Sequence, residues 1–105
     1  MILEVASLMI RPGGQAAFEA AFEKAQRLIV GIDGYLSHEL QHSIEHEHHY
    51  TLLIEWRSLE APTLGFRKSP GFLRWRELLQ EHLEVPPSIE HFQAVAAPAR
   101  AFRPD

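Results

Sequence analysis

The order of apolar segments along this chain predicts an α+β fold, a ferredoxin-like βαββαβ domain built on a four-stranded antiparallel sheet. Three observations predict it. Two stretches repeat apolar residues at helical spacing, and each lies between stretches of strand character. Proline and paired glycine mark firm breaks between them. The strands also carry apolar residues on both faces, so one face of the sheet packs on the helices and the other needs separate cover.

The elements follow in order. Ile2 to Ile10 is rich in Ile, Leu and Val and stops at Arg11-Pro12-Gly13-Gly14, where proline cannot donate to a ladder. Phe18, Ala21, Phe22, Ala25, Leu28 and Ile29 then form one stripe of an amphipathic helix that ends near Gly31. A second strand alternates Leu36, His38, Leu40, His42 and Ile44 against Ser37, Glu39, Gln41 and Ser43. A third sets Tyr50, Leu52, Ile54 and Trp56 against Thr51, Leu53 and Glu55. Keeping both apolar sets on one face gives a hairpin register that places His38 opposite Trp56.

Ser58 to Arg67 reads as a connector with a helical turn limited by Pro62. Ser69-Pro70 supplies an N-cap and a first-turn proline, and Phe72, Trp75, Leu79 and Leu83 continue as a second long helix. Pro86-Pro87 ends it. Ser88 to Val95 is a last strand, expected beside the first, and Ala96 to Asp105 is a tail. Residues 1–95 thus make one domain, as the 105-residue length allows. Leu3 and Val5 lie opposite Ile2, Ala6 and Leu8 on the first strand, so pairing two sheets face to face in a homodimer is the economical solution.

Composition removes several classes of function. Net charge is −4 and no basic run exceeds two residues, which argues against nucleic acid. Without cysteine there is no disulfide, thiolate catalysis or zinc-thiolate site. The first apolar run is too short to span a bilayer, so no membrane partner is expected and a cytoplasmic location follows by default. No glycine-rich phosphate loop or nucleophile elbow is present.

The segments Gly34-Tyr35-Leu36, His38-Glu39-Leu40, Leu52-Leu53-Ile54-Glu55-Trp56, Gly65-Phe66-Arg67, Ser69-Pro70, Trp75-Arg76 and Ile89-Glu90-His91-Phe92 occur in a telling order. Together, over residues 1–95, they resemble the antibiotic biosynthesis monooxygenase (ABM) family of dimeric α+β barrels. The resemblance implies a homodimer with a pocket in each subunit between sheet and helices. It implies a cofactor-independent reaction of dioxygen with an aromatic or quinol-like small molecule, which needs a base, an apolar cavity and polar anchors but no flavin or metal. This chain departs from the pattern in having no histidine just before Ser69-Pro70. It also has no asparagine, so the Asn-Trp-His set of the related haem-degrading monooxygenases cannot be assembled. These departures favour the alternative, a non-catalytic dimeric module of the same fold that binds a small molecule or another protein.

Seven histidines invite a metal reading, but His38 and His42 on one strand lie about 13 Å apart. His46, His48 and His49 belong to a polar loop, so no metal site is expected. Glu39, Glu55 and Glu90 read as solvated or partner-facing strand carboxylates. His38 and His91 sit in strand centres beside aromatics and are the candidate general bases, against a plain structural role for each. Trp56, Phe66, Phe72 and Trp75 are core aromatics first, and the candidate walls of a substrate pocket second.

Overall fold

In the computed structural model, which describes residues 1–96, four strands form one antiparallel sheet in the order β2-β3-β1-β4. They are β1 (Ile2–Met9), β2 (Tyr35–His42), β3 (His49–Trp56) and β4 (Ser88–Gln93). Helices α1 (Gln15–Ala25), α2 (Arg27–Val30) and α3 (Pro70–Leu79) cover one face. This is the expected βαββαβ connectivity, with β4 beside β1. The expected tail beyond Ala96 lies outside the described residues.

Period-two patterning decides which side chains meet the helices. Ala6, Leu8 and Ile10 of the first strand and Tyr50, Leu52, Ile54 and Trp56 of the third are buried against Phe18, Phe22, Ala25 and Ile29. The α1 stripe is as the spacing requires, but the helix breaks after Ala25 and resumes as the single turn α2, capped at Gly31. On the opposite sheet face lie Leu3, Val5, Leu53 and Phe92, with no helix over them among the described residues.

Several details differ from the sequence reading: α3 ends at Leu79 and does not continue as a helix to Leu83, and β4 ends at Gln93, short of Val95. The β2–β3 hairpin pairs His38 with Ile54, not with Trp56, in the register that runs unbroken from His42 opposite Tyr50 to Ser37 opposite Glu55, and beyond it Leu36 is extruded as a bulge between Tyr35 and Ser37. Tyr35 therefore takes the place opposite Trp56, and Leu36 is left 45% exposed. The register differs from the expected one by two residues, so the side chains from Ser37 to His42 keep their faces, while the bulge brings Tyr35 to the helix-facing side. Strand β2 also ends at His42, leaving Ile44 in the turn.

The connector holds a π-helical turn, Ala61–Phe66, closed by the Arg67 N–H donating to the Pro62 carbonyl at 3.2 Å. Gly34, at φ +96°, lies against its start, and a Cβ there would stand 2.7 Å from the Ala61 Cβ. At its end the Ser69 hydroxyl donates to the Phe66 carbonyl at 2.6 Å. Ser69 is the N-cap residue of α3, as expected, but its side chain serves the preceding turn and leaves the helix uncapped. Beyond α3 a 3-10 turn, Gln80–His82, leads to Leu83, which bridges to Ile10 and ties this strap to the end of β1.

Candidate functional site

A cleft of about 550 Å³ opens between the sheet and α3. Its floor is the helix-facing side of β1 and β3: Glu4, Ala6, Leu8, Leu52 and Ile54. Phe66 and Arg67 from the end of the π-turn, and Phe72, Trp75 and Leu79 from α3, make one wall. The strap from Leu83 to Ile89 makes the other. Phe66 is the hub of the aromatic wall, meeting Phe72 and Trp75 edge-on at ring separations of 5.2 and 5.5 Å. The lining is mostly apolar, with a few polar groups, as in small-molecule sites generally.

One polar group stands out by burial. Glu4 is the buried charged residue among the described residues, 6% exposed. Strand alternation puts it in phase with Ala6, Leu8 and Ile10, so its carboxylate must enter the core side of the sheet. There the Trp56 indole N–H donates to its Oε1 at 2.8 Å. Its Oε2 stands 4.0 Å from a nitrogen of Arg67, close enough for attraction but too far for a direct hydrogen bond. Arg11 and Arg76 reach the cleft as well, Arg11 with its Nε donating to the Glu81 carbonyl at 2.9 Å.

The structure thus brings Phe66, Phe72 and Trp75 together around one cleft and leaves His38, His91 and Trp56 out of its lining. His38 does face the helices, but Phe22 packs edge-on against both it and Trp75 and stands between. Its two ring nitrogens are taken: Nδ1 lies 2.6 Å from the Tyr35 hydroxyl and Nε2 2.8 Å from Gln26 Oε1. The amide oxygen can only accept, so Nε2 carries the proton and Nδ1 accepts from Tyr35. Burial pushes the His38 pKa down from its ordinary value and the Tyr35 pKa up, which keeps both neutral. That arrangement suits a fixed structural group, and the expected contact with Trp56 is replaced by Tyr35.

His91 pairs laterally with Glu4 across β1–β4 on the helix-facing side, and its buried Nε2 has no partner among the described residues. Trp56, fully buried on the same sheet face as the floor, acts from beside it through its bond to Glu4. Glu39, Glu55 and Glu90 all lie on the opposite sheet face, away from the cleft. No group of three or more metal-ligating side chains occurs among the described residues. His42 stacks on Tyr50 at 4.2 Å, and the Tyr50 hydroxyl donates to Glu19 at 2.5 Å; burial and that carboxylate raise the Tyr50 pKa.

Fold and cleft together define a ferredoxin-like α+β domain with an apolar, aromatic-walled cleft between sheet and helices. The chain belongs to the antibiotic biosynthesis monooxygenase family, whose model matches residues 1–78. It is 42% identical over 95 residues to YczJ of Bacillus subtilis (strain 168), an uncharacterized protein, covering 90% of this chain and all of that one. A solved structure of the same family from Bordetella bronchiseptica is 36% identical, with a TM-score of 0.86 over 90% of this chain and 97% of that one. SnoaB, a cofactor-independent oxygenase from Streptomyces nogalater, shares the fold at 20% identity, with a TM-score of 0.80 over 91% of this chain and 94% of that one. No helix among the described residues is long and apolar enough to cross a membrane.

Proposed function

We propose that this chain is a cofactor-independent monooxygenase that binds an aromatic or quinol-like small molecule in the cleft and uses Glu4 as its base. The observation that carries the reading is a buried carboxylate at the floor of an apolar, aromatic-walled cleft. Family membership supports it, and so does the activity of SnoaB on the same fold. A flat ring system would lie between Phe66, Phe72 and Trp75 on one side and the sheet floor on the other. Glu4, oriented by Trp56, takes a proton from the substrate, and the resulting anion is the electron donor to dioxygen. For a ring methylene the balance is R2CH2 + O2 → R2CO + H2O: two C–H bonds break, one oxygen atom stays as the carbonyl and the other leaves as water. The substrate supplies all the electrons.

Glu4 and not His38 is the base, since both nitrogens of His38 are occupied and His38 does not line the cleft. The chain acts as a homodimer, in which a second copy covers Leu3, Val5, Leu53 and Phe92. The test is an oxygen electrode with a panel of anthrones and hydroquinones. Uptake should match product one to one and fall by roughly 10²–10⁴-fold in Glu4→Gln, the usual worth of a general base. The occupied nitrogens of His38 favour one other reading, a binding module without turnover. Tight binding of the panel with no uptake above the buffer rate would establish that reading and refute the oxygenase.

A further inference from the structure

We infer that Arg67 holds a ring oxygen of the ligand as an oxyanion, and so selects molecules with an ionisable hydroxyl over their ethers and neutral quinones. This rests on the cleft being the substrate site. Of the three arginines in the cleft, only Arg67 comes within ion-pair distance of Glu4, at 4.0 Å from Oε2. Arg11 has committed its Nε to a backbone carbonyl. Glu4 in turn has committed Oε1 to Trp56, so Oε2 and the Arg67 guanidinium face each other without a direct hydrogen bond.

The gap has a size that chemistry can use. An oxygen placed at ordinary hydrogen-bond distance, about 2.8 Å, from both atoms sees them at an angle of about 90°. A ring hydroxyl can meet both with its O–H bond toward Glu4 Oε2 and a lone pair toward Arg67, opening the pair by a few tenths of an ångström. A methyl ether can offer only the lone pair, and a quinone oxygen has no proton to give.

Proton transfer in that position is nearly neutral in charge movement. The O–H bond breaks, the Glu4 Oε2–H bond forms, and the electron pair stays on the ring oxygen. The negative charge moves by one atom and remains beside the same guanidinium, so no charge is stranded in the apolar cleft. The π-turn makes this placement: its wide closure from Arg67 N–H to Pro62 delivers Phe66 and Arg67 to the cleft as neighbours. A guanidinium is the cation suited to the task, because it stays charged and offers several N–H groups in one plane.

The test uses 7-hydroxycoumarin, whose neutral and anionic forms absorb differently, and its 7-methoxy ether, each titrated into the intact protein by calorimetry and absorbance. The hydroxyl compound should bind with its pKa lowered relative to free solution. Arg67→Gln should abolish that shift and weaken the hydroxyl compound roughly 10–100-fold, the worth of a charged hydrogen bond, while changing the ether less than about threefold. Arg67→Lys, which keeps the charge and loses the fork, should retain most of the shift. Circular dichroism checks that each variant is folded. If both compounds bind but Arg67→Gln weakens them equally or leaves the shift intact, the role of Arg67 is overturned while the cleft reading stands. If neither compound binds the wild-type protein, the cleft reading falls and takes this inference with it.

Discussion

Trp56→Phe isolates the bond that orients the cleft carboxylate. Trp56 is fully buried and donates its indole N–H to Glu4 Oε1 at 2.8 Å. Phenylalanine keeps an aromatic ring against Phe66 and Tyr35 but removes the donor, leaving one carboxylate oxygen buried and unpaired. A hydrogen bond to a charged group is worth about 1.5–3 kcal/mol. The smaller ring adds about 1 kcal/mol for the void it leaves. A loss near 3 kcal/mol is expected, and at roughly 4–8 °C per kcal/mol for a domain of this size the melting midpoint should fall by about 12–24 °C. The assay is urea unfolding followed by circular dichroism at fixed protein concentration. Trp75 then remains the sole tryptophan, giving a fluorescence signal from the cleft wall. The same substitution made in a Glu4→Leu background should cost at least about 1.5 kcal/mol less, because the charged acceptor is gone. Equal costs in the two backgrounds, or a loss below about 1 kcal/mol in the first, would refute the claim that this bond holds Glu4 in place.

Three other outcomes are expected. Light scattering should give twice 12.0 kDa for the wild type, and Leu53→Glu, on the uncovered sheet face, should give a folded monomer or no folded protein; a folded wild-type monomer at micromolar concentration would refute the dimer. Because burial lowers the His38 pKa, the unfolded chain binds its proton first. Stability should therefore decline as pH falls from the unfolded value of about 6.5 toward the lower folded one, and His38→Gln should flatten that part of a melting-temperature profile recorded from pH 8 to 5. Gly34→Ala should destabilise by about 2 kcal/mol or more in urea unfolding, since it forces a side chain into positive φ and against Ala61; a change under about 0.5 kcal/mol would mean that the turn moves freely.

Much of this architecture could be read directly from residue spacing. The α1 stripe, the alternation in β2 and β3 and the Pro-Gly breaks all report local periodicity, which packing then reinforces. The aromatic wall was legible for the same reason: Phe72 and Trp75 recur at helical spacing, and Phe66 precedes the helix by a short turn. Glu4 is hard to single out in the sequence because the residues around it are apolar and mark the segment only as a strand. The available signal was its phase, a carboxylate in step with Ala6 and Leu8 on the face that must be buried. The partner of His38 is not fixed by alternation, because a register shifted by two residues satisfies the pattern equally, and the bulge at Leu36 leaves no mark in it. Its bond to Gln26 depends on where α1 ends, which spacing fixes only to within a turn. Whether two sheets pair lies beyond a single chain and rests on the apolar residues that chain leaves uncovered.

The π-turn between Gly34 and Ser69 gives the cleft a length dependence separate from its side-chain chemistry. In an ordinary helical turn each residue advances the chain by about 100°. Deleting one residue from Ala61–Phe66 would turn the wide loop into a regular one and rotate everything after it by roughly that angle before the chain reaches Pro70. Phe66 would leave the aromatic wall and Arg67 would leave the vicinity of Glu4, while the sheet and both long helices kept their places. A single deletion would thus change the lining of the cleft more than most substitutions within it. In a set of related chains, the number of residues between the end of β3 and the Ser-Pro step would then set the shape of the cleft ahead of the identities of the residues themselves.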